Sequence, residues 1–359
     1  MNRDERNIDY RDISVVAQGA VAGSPNDKYE NRHTYRCLES IRKSLPGATI
    51  ILATWKGSNV AGLDYDVLVE SEDPGPVAWG NVSQDGRQTV GSVNGLRQIV
   101  GSRDGLRACK TKYSLRIRND LILWGDKFLD YFITYNKLPF DDNYKILKKR
   151  IVTMTTGNPR RRNKFPFTIG DWFFFGLTED VVNVFDLPLV KKEFTIQDND
   201  GRDVKVDSLY TAEQNIWFGF LSKYRKIPFE CASDISHDNI TTSERYFANN
   251  CIFLTARRAG VYCLKYPDAA YGQIPALSNS GLYTFSEYKE LLNKYANNHL
   301  LIIPNIFENI TYYIVYNLRF YIEKKSPKLW DIIRRTVNRK NHRRIDALKK
   351  ARGANGRTS

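Results

Sequence analysis

Residues 13–21 read ISVVAQGAV, a short apolar run that closes on small residues and leads to Gly23. Apolar on both sides instead of alternating, it has the pattern of a strand buried on both faces. Residues 33–45 follow, with Tyr35, Leu38, Ile41 and Leu45 at helical spacing, and Pro46-Gly47 ends them. Residues 48–54 (ATIILAT) and 64–69 (DYDVLV) are two further strands, the second stopped by Asp73-Pro74-Gly75-Pro76. Strand, helix, strand, strand opens an α/β domain with a Rossmann-like, mostly parallel sheet.

Beyond it GRQTVGS (86–92) recurs as LRQIVGS (96–102). Two or three copies of about ten residues are too few for a solenoid. Most of the stretch through Lys110 reads as helix with a flexible entry, although internal glycines weaken a helix. YSLRI (113–117) is a strand and residues 128–135 a helix. The second half is less regular: a strand at 151–155, a basic loop at 157–164, and an aromatic stretch, FPFTIGDWFFFGL, at 165–177. Helices are expected at 208–221, starting near Thr211, at 286–297 and at 328–351, with 245–254 helical or mixed. No stretch reads as a linker between independent domains. The organisation is an N-terminal extension (1–11), one domain (12–318) and a basic tail (319–359).

Charge separates that tail from the body. The chain carries a net +14, and residues 319–359 supply eleven of it, fourteen Lys and Arg against Glu323, Asp331 and Asp346. Apolar residues at 42% and charged residues at 26% are ordinary for a folded domain, so disorder of the whole chain is excluded. Five scattered cysteines without metal-ligand spacing point to a reducing compartment. MNRDERNIDYRD has no apolar run and is not read as a signal peptide. Residues 300–322 are interrupted by Pro304, Asn305, Glu308, Asn309, Asn317 and Arg319, too polar for a span of about 20 apolar residues. The expected location is cytoplasmic, peripheral on the inner membrane face. In the tail, Leu329, Trp330, Ile332, Ile333 and Val337 form an apolar patch beside eight basic residues, which suits a helix lying on anionic lipid. The bland alternative is a solubilising tail.

The chemistry concentrates in YSLRIRND (113–120), an apolar strand ending in a polar cluster that closes on Asp120. Ligands of open α/β sheets bind outside the carboxyl ends of strands. A carboxylate there can hold Mg²⁺ or Mn²⁺ and, through it, a diphosphate. It can equally open a turn or cap a helix. At the end of the first strand Gln18 and Gly19 suit a nucleotide, since small residues admit the ligand to the backbone and an amide can read a base edge. Thr54 and Trp55 end the second strand; Asp66 in the third, and the turn carboxylates Glu72 and Asp73 after it, are within reach of base or ribose. Asn94, Arg97, Gln98 and Arg103 precede the motif strand and offer contacts to a diphosphate; solvated loop charge is the competing account. A base for an acceptor hydroxyl has two candidates. Asp171 sits in GDWFFFG among aromatics that raise a carboxyl pKa. Glu213 follows Thr211 in TAEQ, a capping-box spelling that also explains an acid in a first turn. Trp172 to Phe175 offer a sugar-stacking face or a buried strand.

Taken in order, SVVAQGAV, CLESIRKSLPGATIILATWKGS, GLDYDVLVESEDPG, LRQIVGSRDGL, TKYSLRIRND, FTIGDWFFFG, TAEQNIW and SERYFANN resemble the WavE lipopolysaccharide-synthesis family over roughly residues 12–255. The resemblance implies a GT-A-like glycosyltransferase fold, a nucleotide-diphospho-sugar donor, and a lipopolysaccharide core or related surface glycan or glycolipid as acceptor. It places Arg118, Asn119 and Asp120 where GT-A enzymes carry the metal-binding Asp-x-Asp. The first position here is Arg118, a cation that repels a divalent metal and attracts phosphate, which leaves two alternatives: Asp120 alone holds the Mg²⁺ or Mn²⁺, or Arg118 partly replaces it. Two other readings stand beside the enzyme. One is a nucleic-acid-binding protein acting through the tail, disfavoured because no reader motif appears, so no nucleic-acid partner is expected. The other is a non-catalytic glycan-assembly scaffold.

Overall fold

Ile13–Gln18 forms β1, every residue of it buried, in the computed structural model of the chain. The structure describes residues 8–24, 26–82, 88–155, 165–189, 193–197, 201–263, 283–302 and scattered positions between 318 and 332. From β1 the chain runs through α1 (His33–Ser44) into β2 (Thr49–Trp55) and β3 (Val67–Ser71). A hairpin of β4 (Val77–Val82) and β5 (Gln88–Val93) leads into α2 (Gly95–Arg107), and the chain re-enters the sheet as β6 (Tyr113–Arg118). Then come β7 (Leu121–Leu123), α3 (Lys127–Tyr135), β8 (Ile151–Met154), β9 (Phe173–Leu177) and α4 (Thr178–Phe185). A second hairpin, β10 (Phe194–Gln197) and β11 (Asp203–Val206), precedes α5 (Ala212–Ser222). The body ends with α6 (His237–Asn250), β12 (Cys251–Leu254), α7 (Ala256–Ala259), β13 (Val261–Cys263) and α8 (Phe285–Tyr295).

The central sheet has seven strands in the order β3-β2-β1-β6-β9-β8-β12. β9 runs antiparallel to both neighbours and every other pairing is parallel. The mixed α/β class and mostly parallel sheet expected from the sequence are therefore present. β2 and β3 lie on one side of β1 and β6 on the other, so the connections reverse at β1 and open a crevice at the carboxyl ends of β1 and β6.

Packing explains two features that local propensity does not. Cβ atoms added at Gly101 and Gly105 would lie 2.8 Å from Gln18 Nε2 and 2.5 Å from Val16 Cγ1. The internal glycines of α2 thus let that helix sit directly on the sheet, a gain that offsets their weak helix propensity. In β9, Phe173, Phe174 and Phe175 are fully buried. Phe173 and Phe175 pack edge-on against Phe128 of α3, while Phe174 meets Phe185 of α4 on the opposite face. The alternation places a helix over each side, and each ring contributes about 1.5–3 kcal/mol by burial. The sugar-stacking option for these three phenylalanines is corrected: they are core.

A second correction concerns residues 86–93, expected as the entry of a helix. Gln88–Val93 is instead strand, paired with β4 from Val77↔Val93 to Val82↔Gln88. The second copy of the near-repeat does lie in α2, where Ile99 and Val100 are buried. Tertiary partners override the shared spelling. The basic loop at 157–164 and residues 1–7 lie outside the described residues.

The described residues fall into two compact units, one containing all positions through 302 and the other the positions between 318 and 332. In the second unit Leu318, Tyr321, Leu329 and Ile332 are helical and exposed. The rest of the expected basic helix at 328–351, except Lys328, lies outside the described residues. Among the described residues no helix is long and apolar enough to cross a membrane.

Candidate functional site

β1 and β6 leave the sheet side by side, with Gln18 opposite Arg118 in the parallel register. Gly19 follows with φ +141°, and its N–H donates to Ala53 O at 3.0 Å. A Cβ at this position would lie 2.6 Å from Asn119 Oδ1, so the turn requires glycine for both conformation and space. Asn119 closes the junction. Its backbone N–H donates to Gln18 O, and its side-chain amide donates to Gly19 O and Ala20 O, each at 2.9 Å. Asn119 is thereby a strut between the two strand exits.

Beneath this turn lies Arg116, fully buried in the middle of β6. It donates to Ser102 Oγ at 2.9 Å, to Gln18 Oε1 at 2.6 Å and to the backbone oxygen of Asp171. All three acceptors are neutral, and burial lowers the guanidinium pKa to about 10. Gln18 is itself buried; its Nε2 reaches Arg97 O at 3.5 Å, so both ends of its amide face protein partners.

Two residues further on, and on the same face of the strand, Arg118 meets Asp120 as a fork. Nε donates to Oδ1 at 3.0 Å and Nη2 to Oδ2 at 2.6 Å. The Trp172 ring covers the guanidinium, 5.5 Å from its centroid. Burial disfavours the Arg118 charge, but the Asp120 carboxylate, by its charge and its hydrogen bonds, outweighs that and holds the pKa above its ordinary value. These donors fit a divalent metal poorly. Both Asp120 oxygens already accept from a cation, and among the described residues no three His, Cys, Asp or Glu converge as ligands. At about 4 Å and an effective dielectric near 20, each unit of added positive charge would meet roughly 4 kcal/mol of repulsion from Arg118.

Two acids approach from the other side. Asp171 ends a buried loop before β9, and its Oδ2 accepts from Gln98 Nε2 at 2.6 Å. Glu213 lies half-buried in the first turn of α5, behind the capping box of Thr211 and Gln214 that the sequence spells. Burial first, and then the Asp171 charge, raise its carboxyl pKa to about 7, against a lowering pull from Thr211 and Arg118. That mutual influence puts Glu213, Asp171 and Arg118 in one electrostatic cluster. A carboxyl raised toward neutrality by burial and a neighbouring acid is a candidate acid or base.

The remaining sequence candidates form a rim. Asp73 and Arg97 bind each other through a 2.6 Å fork, which holds the Asp73 carboxyl below its ordinary range. Thr54 is buried and shares a 3.1 Å hydrogen bond with Ser58; Trp55, half-buried, ends β2. Asp66 departs from its suggested contact with base or ribose: it accepts from Arg42 at 2.9 Å and from Ile50 N at 2.7 Å. Arg116 was absent from the sequence candidates. The signal was there, a cation between Leu115 and Ile117 in a strand read as buried. A cavity of about 680 Å³ lies elsewhere, lined by Leu96, Ile99, Tyr210, Phe218 and Phe229 and by none of the strand-end residues.

Comparison with known proteins adds a family. A family model described as WavE lipopolysaccharide synthesis matches residues 13–301. No curated protein matches the chain. One solved structure with a likeness to it is titled HddC from Yersinia pseudotuberculosis complexed with GMP-PN. The likeness amounts to 10% identity over 59% of this chain and 99% of that one, at a TM-score of 0.27.

Proposed function

The chain belongs to the WavE lipopolysaccharide-synthesis family, and from that premise we propose that it is a GT-A-like glycosyltransferase. It would move a sugar from a nucleoside-diphospho-sugar to a lipopolysaccharide core or related glycan acceptor. One observation carries this reading. Gln18-Gly19 and Arg118-Asn119-Asp120 meet at the carboxyl ends of adjacent strands, where the sheet's connections reverse, with two acids facing them.

In this reading Gly19 lets the diphosphate approach the backbone, and Gln18 and Asn119 hold the floor beneath it. Arg97, Asp73 and Trp55 border the nucleoside, with Thr54 shaping the turn behind. Gln98 positions Asp171. For an inverting transfer, Glu213 takes the proton of the acceptor hydroxyl as that oxygen bonds to the anomeric carbon. The bond from that carbon to the diphosphate breaks, and the nucleoside diphosphate leaves with the bonding pair, its charge developing beside Arg118. Asp171 orients the acceptor and, by its own charge, keeps Glu213 basic enough to act. The tail would hold the enzyme at an anionic bilayer surface, where a lipid-linked acceptor sits. The exposed helical positions Leu318, Tyr321, Leu329 and Ile332 supply an apolar component, and each nearby Lys or Arg contributes about 1 kcal/mol at such a surface.

Thermal unfolding with a panel of nucleoside diphosphates and their sugar conjugates tests the reading. One base family should stabilise the protein, by about 2.7 kcal/mol at one hundred times its dissociation constant. A folded protein that responds to none of them would refute the transferase.

A further inference from the structure

We propose that this site binds the nucleoside diphosphate without a divalent cation, with Arg118 serving as the counter-charge and Asp120 as the carboxylate that positions Arg118. The inference rests on the transferase reading and specifies how its donor is held.

Three observations support it. First, Asp120 is not a bare ligand. Both of its oxygens accept from Arg118, and its side chain keeps 12% of its exposure. Second, Arg118 is fixed but not saturated. A guanidinium has five N–H groups. Asp120 takes one from Nε and one from Nη2, and Nη1 makes no hydrogen bond among the described residues. The Trp172 ring lies against the group and Asp120 against one edge, so the remaining N–H groups are held in one plane, the geometry that suits two phosphate oxygens. Third, Arg116 stands behind it on the same strand face, its charge bonded only to neutral acceptors. Within β6 and the turn after it, two cations thus stand against the one carboxylate of Asp120, and the Asp171 charge acts on both arginines from across the site. A divalent metal at Asp120 would have to displace Arg118 from its fork and from Trp172. A diphosphate has only to add to what is there.

The test is calorimetric titration of the full chain with UDP, GDP, CDP and dTDP, each in EDTA and in Mn²⁺. Wild type, Arg118→Ala, Arg118→Lys and Asp120→Asn are compared, with circular dichroism as the check on folding. One nucleotide should bind with the same affinity in both buffers. Arg118→Ala should weaken it by about 10–100-fold, the worth of a charge-assisted contact. Arg118→Lys should recover part of that loss, which a merely structural role would not show. Asp120→Asn should cost less than Arg118→Ala. Binding that appears only with Mn²⁺ and disappears in Asp120→Asn would overturn the inference while leaving the transferase intact. No binding of any nucleotide in either buffer would overturn both.

Discussion

The β1–β6 side of the crevice and the β9–α5 side hold charge in different ways. On the β1–β6 side each ionised group is locked: Arg116 by three acceptors, Arg118 and Asp120 by each other. On the β9–α5 side Glu213 sits half-buried beside another acid, and its carboxyl is pushed up to about 7. Fixed charge gives a preorganised surface for a ligand that is always ionised, as a diphosphate is. A carboxyl whose pKa lies near the working pH can move a proton. In the proposed transferase, the contrast puts binding on one side and chemistry on the other.

The largest expected effect breaks the chemical side alone. Glu213→Gln should lower the transfer rate by about 10²–10⁴-fold while the donor dissociation constant stays put. Steady-state rates and donor titration on the same preparation check this. If the rate survives, Asp171 is the base.

Next in size is the floor. Arg116→Met would leave Ser102 Oγ, Gln18 Oε1 and the Asp171 carbonyl without their donor, each an orphan costing about 1–3 kcal/mol, partly offset by removing a buried charge. A net loss of about 2–3 kcal/mol is expected in denaturant unfolding. An unchanged midpoint would mean the cage is not holding the strand ends together. Gly19→Val should destabilise by a similar or smaller amount, about 1–3 kcal/mol, and also abolish nucleotide binding, because a Cβ there meets Asn119 Oδ1 at 2.6 Å. Retained binding would show that the ligand does not approach that turn.

pH sharpens the comparison further. Glu213 has a folded-state pKa raised from 4.5 to about 7, so folding favours its protonated form. Its contribution is fully present below about pH 4.5 and is lost as pH rises through about 7. Glu213→Gln should therefore be more stable than wild type at pH 8, by on the order of 1–2 kcal/mol, and equal to it near pH 4. In the wild type, kcat/KM should fall as pH drops below about 7. A profile flat from pH 5.5 to 8 would remove Glu213 from the proton transfer. The smallest effect belongs to the rim. Asp73→Asn loosens a solvent-facing pair and should change stability by less than about 1 kcal/mol.

The two sides were not equally legible in the sequence. β1, α1, β2 and the β6 motif follow from buried runs, helical spacing and Pro-Gly stops, and β3, an edge strand with Val67 exposed, from its short apolar run before Asp73-Pro74, because each element declares itself within its own residues. Thr211-x-x-Gln214 also reads correctly, since a capping box is local. What was hidden depends on partners far away in the chain. The same spelling, Gln-x-Val-Gly-Ser, gives a strand in β5, paired with β4, and a helix in α2, where it lies on the sheet. β9 runs antiparallel in a sheet otherwise parallel, which no local pattern announces. Asp171 was found by its aromatic surroundings, but that it meets Gln98 and Arg116 across 73 and 55 residues is visible only in the fold. Arg116 was passed over because a strand pattern counts its apolar neighbours. A lone cation in such a run calls for a partner, and here the partners are a serine, a glutamine and a backbone oxygen.

A crystal structure of the chain with a bound nucleoside diphosphate would test the central claim most directly. The account predicts phosphate oxygens against Arg118 and the Gly19 turn, with Glu213 and Asp171 facing the vacant sugar position. A nucleotide lodged instead in the 680 Å³ cavity between Ile99 and Phe218, away from both strand ends, would contradict it.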